Sequence, residues 1–275
     1  MSNSSTQNVN LSYSQIQDLY SDKTLISLLS HAKNRRNYLW HVALPKSGTT
    51  WLSAILQNIY SSRNMTTSTL VPDYAERPQE IDPRRFITPK TNDVFFRQQH
   101  CLYSRYTRSL VETTGAKIVF QYRKIEDALA SLVDHYDDAL FGSMVEKHTL
   151  VTGVHSLQRD QLVDYVIDVE LPWFCKFLSG WLTSDLAGSN VFYKMDYDDL
   201  LESPSNAVLQ LSDSLRMGFS EKEVLAAIDV ASLGFTRKNK GVPGRGLEFF
   251  TSKQKHKIVK CMGYFGLASE VSELV

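Results

Sequence analysis

Residues 38–44 (YLWHVAL) form a short apolar run that ends at Pro45 and leads into a glycine-containing loop. An apolar run of this length, closed by proline and glycine, is typical of a buried strand. Beyond the loop, apolar residues recur at helical spacing on one face: Trp51, Leu52, Ile55, Leu56 and Ile59. This strand, loop and helix unit requires a fold in which helices cover a sheet.

The same pattern recurs further along the chain. Residues 117–122 (KIVFQY) predict a second strand, and the helix after them has an apolar face made by Ala128, Leu129, Leu132, Val133 and Tyr136. Residues 190–195 predict another strand, with a helix beginning near Pro204, and residues 94–98 give a weaker strand signal. Strands that alternate with helices predict an α/β fold with a central parallel sheet flanked by helices on both faces.

Composition limits the function classes. The 275 residues contain 30 basic and 30 acidic side chains, so no net charge is available to hold a nucleic-acid backbone. No apolar stretch approaches the roughly 18 residues of a membrane span. We therefore expect neither a nucleic-acid nor a membrane partner. The sequence makes no prediction of the oligomeric state.

Cysteine usage and chain organisation give three further expectations. The three cysteines, Cys101, Cys175 and Cys261, lie far apart and form no CxxC pair, which disfavours a disulfide framework or structural zinc and favours a reducing cytoplasm. Residues 1–10 are polar and rich in Ser and Asn, as expected of a flexible leader. No repeat or linker divides residues 11–275, which predict a single domain.

The segment between the first strand and the first helix, residues 45–51 (PKSGTTW), has the chemistry of an anion cradle. Gly48 permits a tight turn, backbone amides point out of the helix N-terminus, and Lys46 adds a positive charge. The segment is not a Walker A loop, because the lysine precedes the glycine. The alternative is an ordinary helix start with an incidental lysine. The candidate anion-binding residues are Lys46, Ser47, Gly48, Thr49, Thr50 and Trp51.

PKSGTTW closely resembles the 5′-phosphosulfate loop of sulfotransferases that use 3′-phosphoadenosine 5′-phosphosulfate (PAPS). In the second unit, Ser131 follows Arg123 by eight residues, which matches the spacing of the 3′-phosphate motif in that family. An arginine fork and a hydroxyl suit a dianionic phosphate. The resemblance implies a single P-loop-like domain, PAPS as the donor, 3′-phosphoadenosine 5′-phosphate (PAP) as the released product, and no metal.

Weaker matches complete the donor site that the resemblance implies. Trp51 matches a residue that stacks on the adenine, and Tyr197 and Ser232 resemble further nucleotide contacts. The C-terminal segment 239–244 retains Lys240 and Gly241 of the family's RKGxxG pattern. Three residues in this segment or directly after it depart from the family: Asn239 replaces an arginine, Arg245 an aspartate and Gly246 a tryptophan. Arg237 or Arg245 is the candidate source of the missing guanidinium.

The catalytic residues predicted by the resemblance are His100 and Lys46. His100 follows residues 94–98 and precedes Arg123 by 23 residues, close to the place of the family's catalytic histidine. An ordinary histidine pKa of roughly 6.5 suits proton acceptance near neutrality. Lys46 and the loop amides would stabilise the leaving phosphate. Gln98 stands where the family has a lysine, and Arg97 is the candidate replacement.

The acceptor is expected to be a small molecule that offers a hydroxyl or an amine. Asp134, Asp137 and Asp138 share one helical face near a helix C-terminus, where carboxylates oppose the helix dipole. We take Asp134 and Asp138 as candidates for holding a cationic acceptor such as an amine, and His135 as a candidate for lining the same pocket. The alternative is an acidic surface patch.

Two other function classes stay open. A strand, anion loop and helix also cradle nucleoside triphosphates, which allows an ATP-dependent small-molecule kinase. Against the kinase stand the missing Walker lysine position and the absence of a clear acidic metal-binding pair at a strand end. The second class is a nucleotide-binding protein without catalysis, suggested by the departures from the family at Gln98 and Asn239. The presence of Lys46, His100 and Arg123 favours the sulfotransferase.

Overall fold

A computed structural model of the protein describes residues 29, 36–70, 81–87, 89, 91–137, 153–233 and 244–267. The predicted leader, residues 1–10, lies outside the described residues. So do Asp138 and the segment that carries Arg237, Asn239, Lys240 and Gly241.

The centre of the fold is a sheet of five parallel strands in the order β2-β3-β1-β4-β5. The strands are β1 (Asn37–Ala43), β2 (Thr66–Ser68), β3 (Asp93–Gln99), β4 (Lys117–Tyr122) and β5 (Phe192–Asp196). The predicted α/β fold is therefore confirmed. β2 was not predicted, because three polar residues at the sheet edge carry neither length nor apolar pattern. β5 begins at Phe192, two residues later than the sequence indicated.

Ten α-helices are described. They are α1 (Thr49–Ser62), α2 (Arg105–Thr114), α3 (Ile125–Asp137), α4 (Arg159–Tyr165), α5 (Leu171–Leu182), α6 (Tyr197–Glu202), α7 (Pro204–Ser214), α8 (Glu221–Leu233), α9 (Gly246–Phe249) and α10 (Ser252–Tyr264). A π-helical segment, Val166–Glu170, joins α4 to α5. α7 begins at Pro204 as predicted, but the short helix α6 precedes it.

Helices cover both faces of the sheet because the strand side chains alternate between two cores. On one face Leu39, Phe95 and Val119 pack with α1, α7 and α8. On the other face Trp40 and Phe120 pack with α3, α5 and α10. The aromatic stripe of α5 belongs to this second core, in which Phe174, Phe177 and Trp181 are fully buried. Strands buried on both faces explain why 38–44 is almost continuously apolar.

The parallel arrangement gathers the candidate site residues at one edge. In parallel strands all carboxyl ends point the same way, and ligands of open α/β sheets bind beyond these ends. The loop with Lys46 follows β1, His100 follows β3, Arg123 follows β4 and Tyr197 follows β5. Because β3 and β4 both pair with β1, His100 and Arg123 flank the loop on opposite sides.

Within the described part of the chain, no helix is long and apolar enough to cross a membrane.

Candidate active site

The loop after β1 turns through two left-handed residues. Lys46 has φ 67° and Gly48 has φ 77°. The positive φ of Lys46 is uncommon for a residue with a side chain and marks local backbone strain of the kind found at functional sites. Gly48 is the N-cap of α1 and has no side chain to bind the first amides of the helix. These amide donors and the helix dipole suit an anion.

Gly48 also lies in close contact with the first residue of α6. A Cβ atom at Gly48 would come within 2.8 Å of two ring carbons of Tyr197. The backbone conformation and the close approach both require glycine at this position. Tyr197, a nucleotide contact predicted from the sequence, therefore lies directly against residues 45–51, the phosphate loop.

Arg123 connects the phosphate loop, α3 and α6. Its side chain is 6% exposed, and its Nη2 lies 3.5 Å from Asp127 Oδ2. Its Nη1 donates to the Lys46 carbonyl at 3.4 Å, and its Cζ lies 4.2 Å from the centre of the Tyr197 ring. Burial raises the pKa of Tyr197, and the Arg123 charge opposes that shift. Ser131 follows on α3 and is also buried.

Asp127 of α3 bonds to the C-terminal loop at Gly244 and Gly246. Its carboxylate, 2% exposed, accepts hydrogen bonds from the Gly244 amide at 2.8 Å and the Gly246 amide at 2.5 Å. A Cβ at Gly246 would come within 2.5 Å of the Glu126 carbonyl carbon, so no side chain fits there. The glycine that replaces the family's tryptophan thus permits the backbone of this loop to touch α3.

His100 has the geometry of a general base. Its Nδ1 lies 2.7 Å from the Ala43 carbonyl, which only accepts hydrogen bonds. Nδ1 therefore carries the proton in the neutral ring, and the lone pair is on Nε2. The ring is partly exposed at the carboxyl edge of the sheet.

Gln99 is a candidate that the sequence did not indicate. It is fully buried, and neither its amide nitrogen nor its amide oxygen has a hydrogen-bond partner among the described residues. Gln98, which the sequence did single out, is only partly buried.

The acidic face of α3 is bound by arginines of the same chain. Arg159 Nη2 lies 2.9 Å from Asp134 Oδ1, and Arg159 Nη1 pairs with Asp137. Arg245 Nη2 pairs with the other oxygen of Asp134. Both guanidinium groups lie near the Phe249 ring, with Cζ distances to its centre of 5.5 Å and 5.6 Å. The positive charge expected here from an acceptor is thus already supplied by the protein.

The remaining predicted residues lie further from these contacts. His135 is partly exposed on α3, with its ring 6.2 Å from the Tyr136 ring. Ser232 is exposed in the last turn of α8. Trp51 is partly buried in the first turn of α1 and packs against the core under α8.

Residues 36–262 match the sequence model of the Sulfotransferase domain family. The chain belongs to the sulfotransferase family. Two characterised relatives are a flavonol 3-sulfotransferase from Flaveria bidentis, 24% identical over 71% of this chain, and an amine sulfotransferase from Oryctolagus cuniculus, 26% identical over 77%. The matched regions cover 62% and 66% of these relatives, so the chain spans less than two thirds of their length.

Two solved structures have the same fold as this chain. The complex of mouse sulfotransferase SULT7A1 with PAP has a TM-score of 0.60 and 16% identity, and the match covers 92% of both chains. Retinol dehydratase, in complex with androsterone and PAP, has a TM-score of 0.51 and 12% identity over 88% of this chain and 84% of its own. These similarities confirm the P-loop-like α/β architecture.

Proposed function

We propose that this sulfotransferase transfers a sulfuryl group from PAPS to a hydroxyl or amine of a small molecule. The observation that carries the proposal is the meeting of the phosphate loop, Arg123 and His100 at one edge of the sheet. The names of the relatives, a flavonol and an amine sulfotransferase, support this class of acceptor. PAP, which is bound in both structural neighbours, supports the donor.

The chemistry of the donor set fits PAPS. The loop amides and Lys46 would hold the 5′-phosphosulfate, since they offer hydrogen-bond donors and one positive charge. Arg123 and Ser131, both buried, would hold the 3′-phosphate. The exposed face of Trp51 would support the adenine. The proposal also includes Ser47, Gly48, Thr49, Thr50, Tyr197, Ser232, Lys240 and Gly241 as donor contacts.

His100 and Lys46 have separate roles in the proposed reaction. His100 Nε2 takes the acceptor proton as the acceptor oxygen or nitrogen bonds to sulfur. The bond between sulfur and the bridging phosphate oxygen breaks, and Lys46 with the loop amides neutralises the charge that develops on that phosphate. PAPS supplies the transferred group, and PAP leaves. No step in this scheme calls for a metal.

For the acceptor, we propose that His135 lines the pocket. A cationic acceptor at Asp134 would have to displace Arg159 or Arg245, which both bind this carboxylate. We therefore expect neutral hydroxyl acceptors to react at least as well as amines. A panel of phenols and amines of matched size, assayed with PAPS, checks this. A strong preference for amines would instead support Asp134 and Asp138 as residues that bind the acceptor.

We further propose a cytoplasmic location, because the three cysteines are free thiols in the structure and one relative is a cytosolic sulfotransferase of Arabidopsis thaliana.

Calorimetry with PAP, and with ATP plus Mg²⁺, tests the function. We expect PAP to bind without metal and ATP to bind weakly. Metal-dependent ATP binding without PAP binding would indicate the kinase instead. PAP binding without turnover across the acceptor panel would indicate a nucleotide-binding protein.

A further inference from the structure

Two buried polar side chains lie beneath the phosphate loop, each following buried apolar residues in its strand. His41 in β1 and Gln121 in β4 are both fully buried. His41 Nε2 lies 2.8 Å from Gln121 Oε1, and Gln121 Nε2 donates to the Ser47 carbonyl at 2.6 Å. The pair therefore reaches from the sheet to the backbone of the loop.

The hydrogen-bond chemistry fixes every donor in this chain of contacts. The Ser47 carbonyl only accepts, so the Gln121 atom next to it is the amide nitrogen. Gln121 Oε1 then accepts from His41, which must carry its proton on Nε2. The neutral ring agrees with burial, which lowers the pKa of His41 to about 4.

The Ser47 carbonyl sets the direction of the next amide. In a planar trans peptide the C=O and the following N–H point in opposite directions. A Ser47 carbonyl held down toward Gln121 therefore turns the Gly48 N–H away from the sheet, toward the space beyond the carboxyl edge. The Ser47 hydroxyl, which donates to the Leu44 carbonyl at 2.6 Å, fixes the same residue from its side chain.

We infer that His41 and Gln121 are positioning residues that orient the Gly48 amide toward the 5′-phosphate of the donor. Burying a histidine and an amide under a sheet is costly unless their hydrogen bonds are made, and an apolar pair would fill the strands at lower cost. His41 Nδ1 is left without a partner among the described residues, so the pair is retained at a cost. His41 bonds Gln121 and Gln121 bonds the loop, where a preorganised amide donor strengthens anion binding. The inference rests on the proposed function, because it takes the loop to bind the 5′-phosphate.

Two nucleotides and two variants test this. His41→Leu removes the donor to Gln121, whereas His41→Gln supplies an amide donor in its place. Calorimetry then compares PAP with adenosine 3′-phosphate, which lacks the 5′-phosphate. We expect His41→Leu to weaken PAP roughly three- to tenfold, the value of one hydrogen bond, and to leave adenosine 3′-phosphate unchanged. His41→Gln should restore PAP binding to within about twofold of the original protein.

Equal weakening of both nucleotides by His41→Leu, or none, would overturn the positioning role. If His41→Leu does not fold, the unmodified protein still gives an answer. Selective ¹⁵N-glycine labelling should show the Gly48 amide proton moving downfield with PAP and staying in place with adenosine 3′-phosphate. An unmoved Gly48 signal in the PAP complex would also overturn the inference. Failure of the unmodified protein to bind PAP at all would instead remove the proposed function.

Discussion

The strands on either side of β1 each carry a buried glutamine near the carboxyl edge, but the two amides are bonded differently. Gln121, the last residue but one of β4, has both of its amide atoms hydrogen-bonded, one to His41 and one to Ser47. Gln99 at the end of β3 has neither atom bonded to a described residue. On the donor side of the site, beside the phosphate loop, the Gln121 amide is therefore satisfied by the protein, whereas the Gln99 amide, next to His100 in the chain, retains unused hydrogen-bonding capacity.

The difference has an energetic consequence. A buried amide without partners costs about 1–3 kcal/mol, whereas a bonded one costs nothing beyond its burial. The Gln121 bond holds the Ser47 carbonyl in place before a ligand binds, which lowers the entropy lost when an anion binds the loop. The Gln99 amide is fully buried, so its unmade hydrogen bonds lower the stability of the fold. The predictions below separate these two roles.

The largest effect is expected on the acceptor side, at His100. His100→Ala should lower kcat by roughly 10²- to 10⁴-fold, because it removes the general base. Its affinity for PAP, measured by calorimetry, should change little, since the loop amides, Lys46 and Arg123 are proposed to hold the nucleotide. His256→Ala is the matched control, because His256 is exposed on α10. Near-normal turnover in His100→Ala would contradict the base assignment.

On the donor side, Arg123→Ala should weaken PAP roughly ten- to hundredfold, because a charge-assisted bond to the 3′-phosphate is lost. Adenosine 5′-phosphate, which has no 3′-phosphate, should bind as before. The control is Arg108→Ala, at an exposed arginine of α2. Equal losses for the two nucleotides would mean that Arg123 serves only to hold Tyr197 and the loop.

Asp127→Asn tests how strongly Asp127 holds Gly244 and Gly246 against α3. An asparagine has a single acceptor oxygen for the two amides of Gly244 and Gly246, so one of them loses its partner. We expect a loss of about 2 kcal/mol in the free energy of unfolding, or roughly 4–8 °C in Tm by calorimetry. Asp213→Asn, at an exposed carboxylate of α7, should leave Tm unchanged.

The smallest effect is expected at Gln99. Gln99→Met replaces the unbonded amide by an apolar side chain of similar length, and we expect it to raise the free energy of unfolding by about 1 kcal/mol in urea denaturation. The KM of the acceptor and the affinity for PAP should stay constant, because the buried amide is out of reach of both ligands. Gln98→Met, at a partly exposed position, should leave the free energy of unfolding unchanged. Destabilisation by Gln99→Met would show that the amide is satisfied within the protein.

Local patterns in the chain were sufficient to predict most of the fold. The apolar runs and the residues that follow them predicted the loop with Lys46 and Gly48, whereas the expectations for His100 and Arg123 came from the resemblance to PAPS-dependent sulfotransferases. No local pattern indicated β2, α6 or Gln99. His41 and Gln121 are recognisable in the sequence because each interrupts an apolar run, but the sequence does not show that they bond to each other.

By itself, the sequence determined the α/β class and the phosphate loop at the end of β1, because periodicity and turn residues are properties of contiguous segments. It also determined the family, because the PKSGTTW motif and the match over residues 36–262 need no structure. The tertiary structure alone decided the partners. His41 meets Gln121 across 80 positions, Asp127 meets Gly246 across 119, and Asp134 meets Arg245 across 111. Such contacts depend on strand order and on the docking of α9 against α3. No pattern within one segment specifies which distant segment will lie beside it.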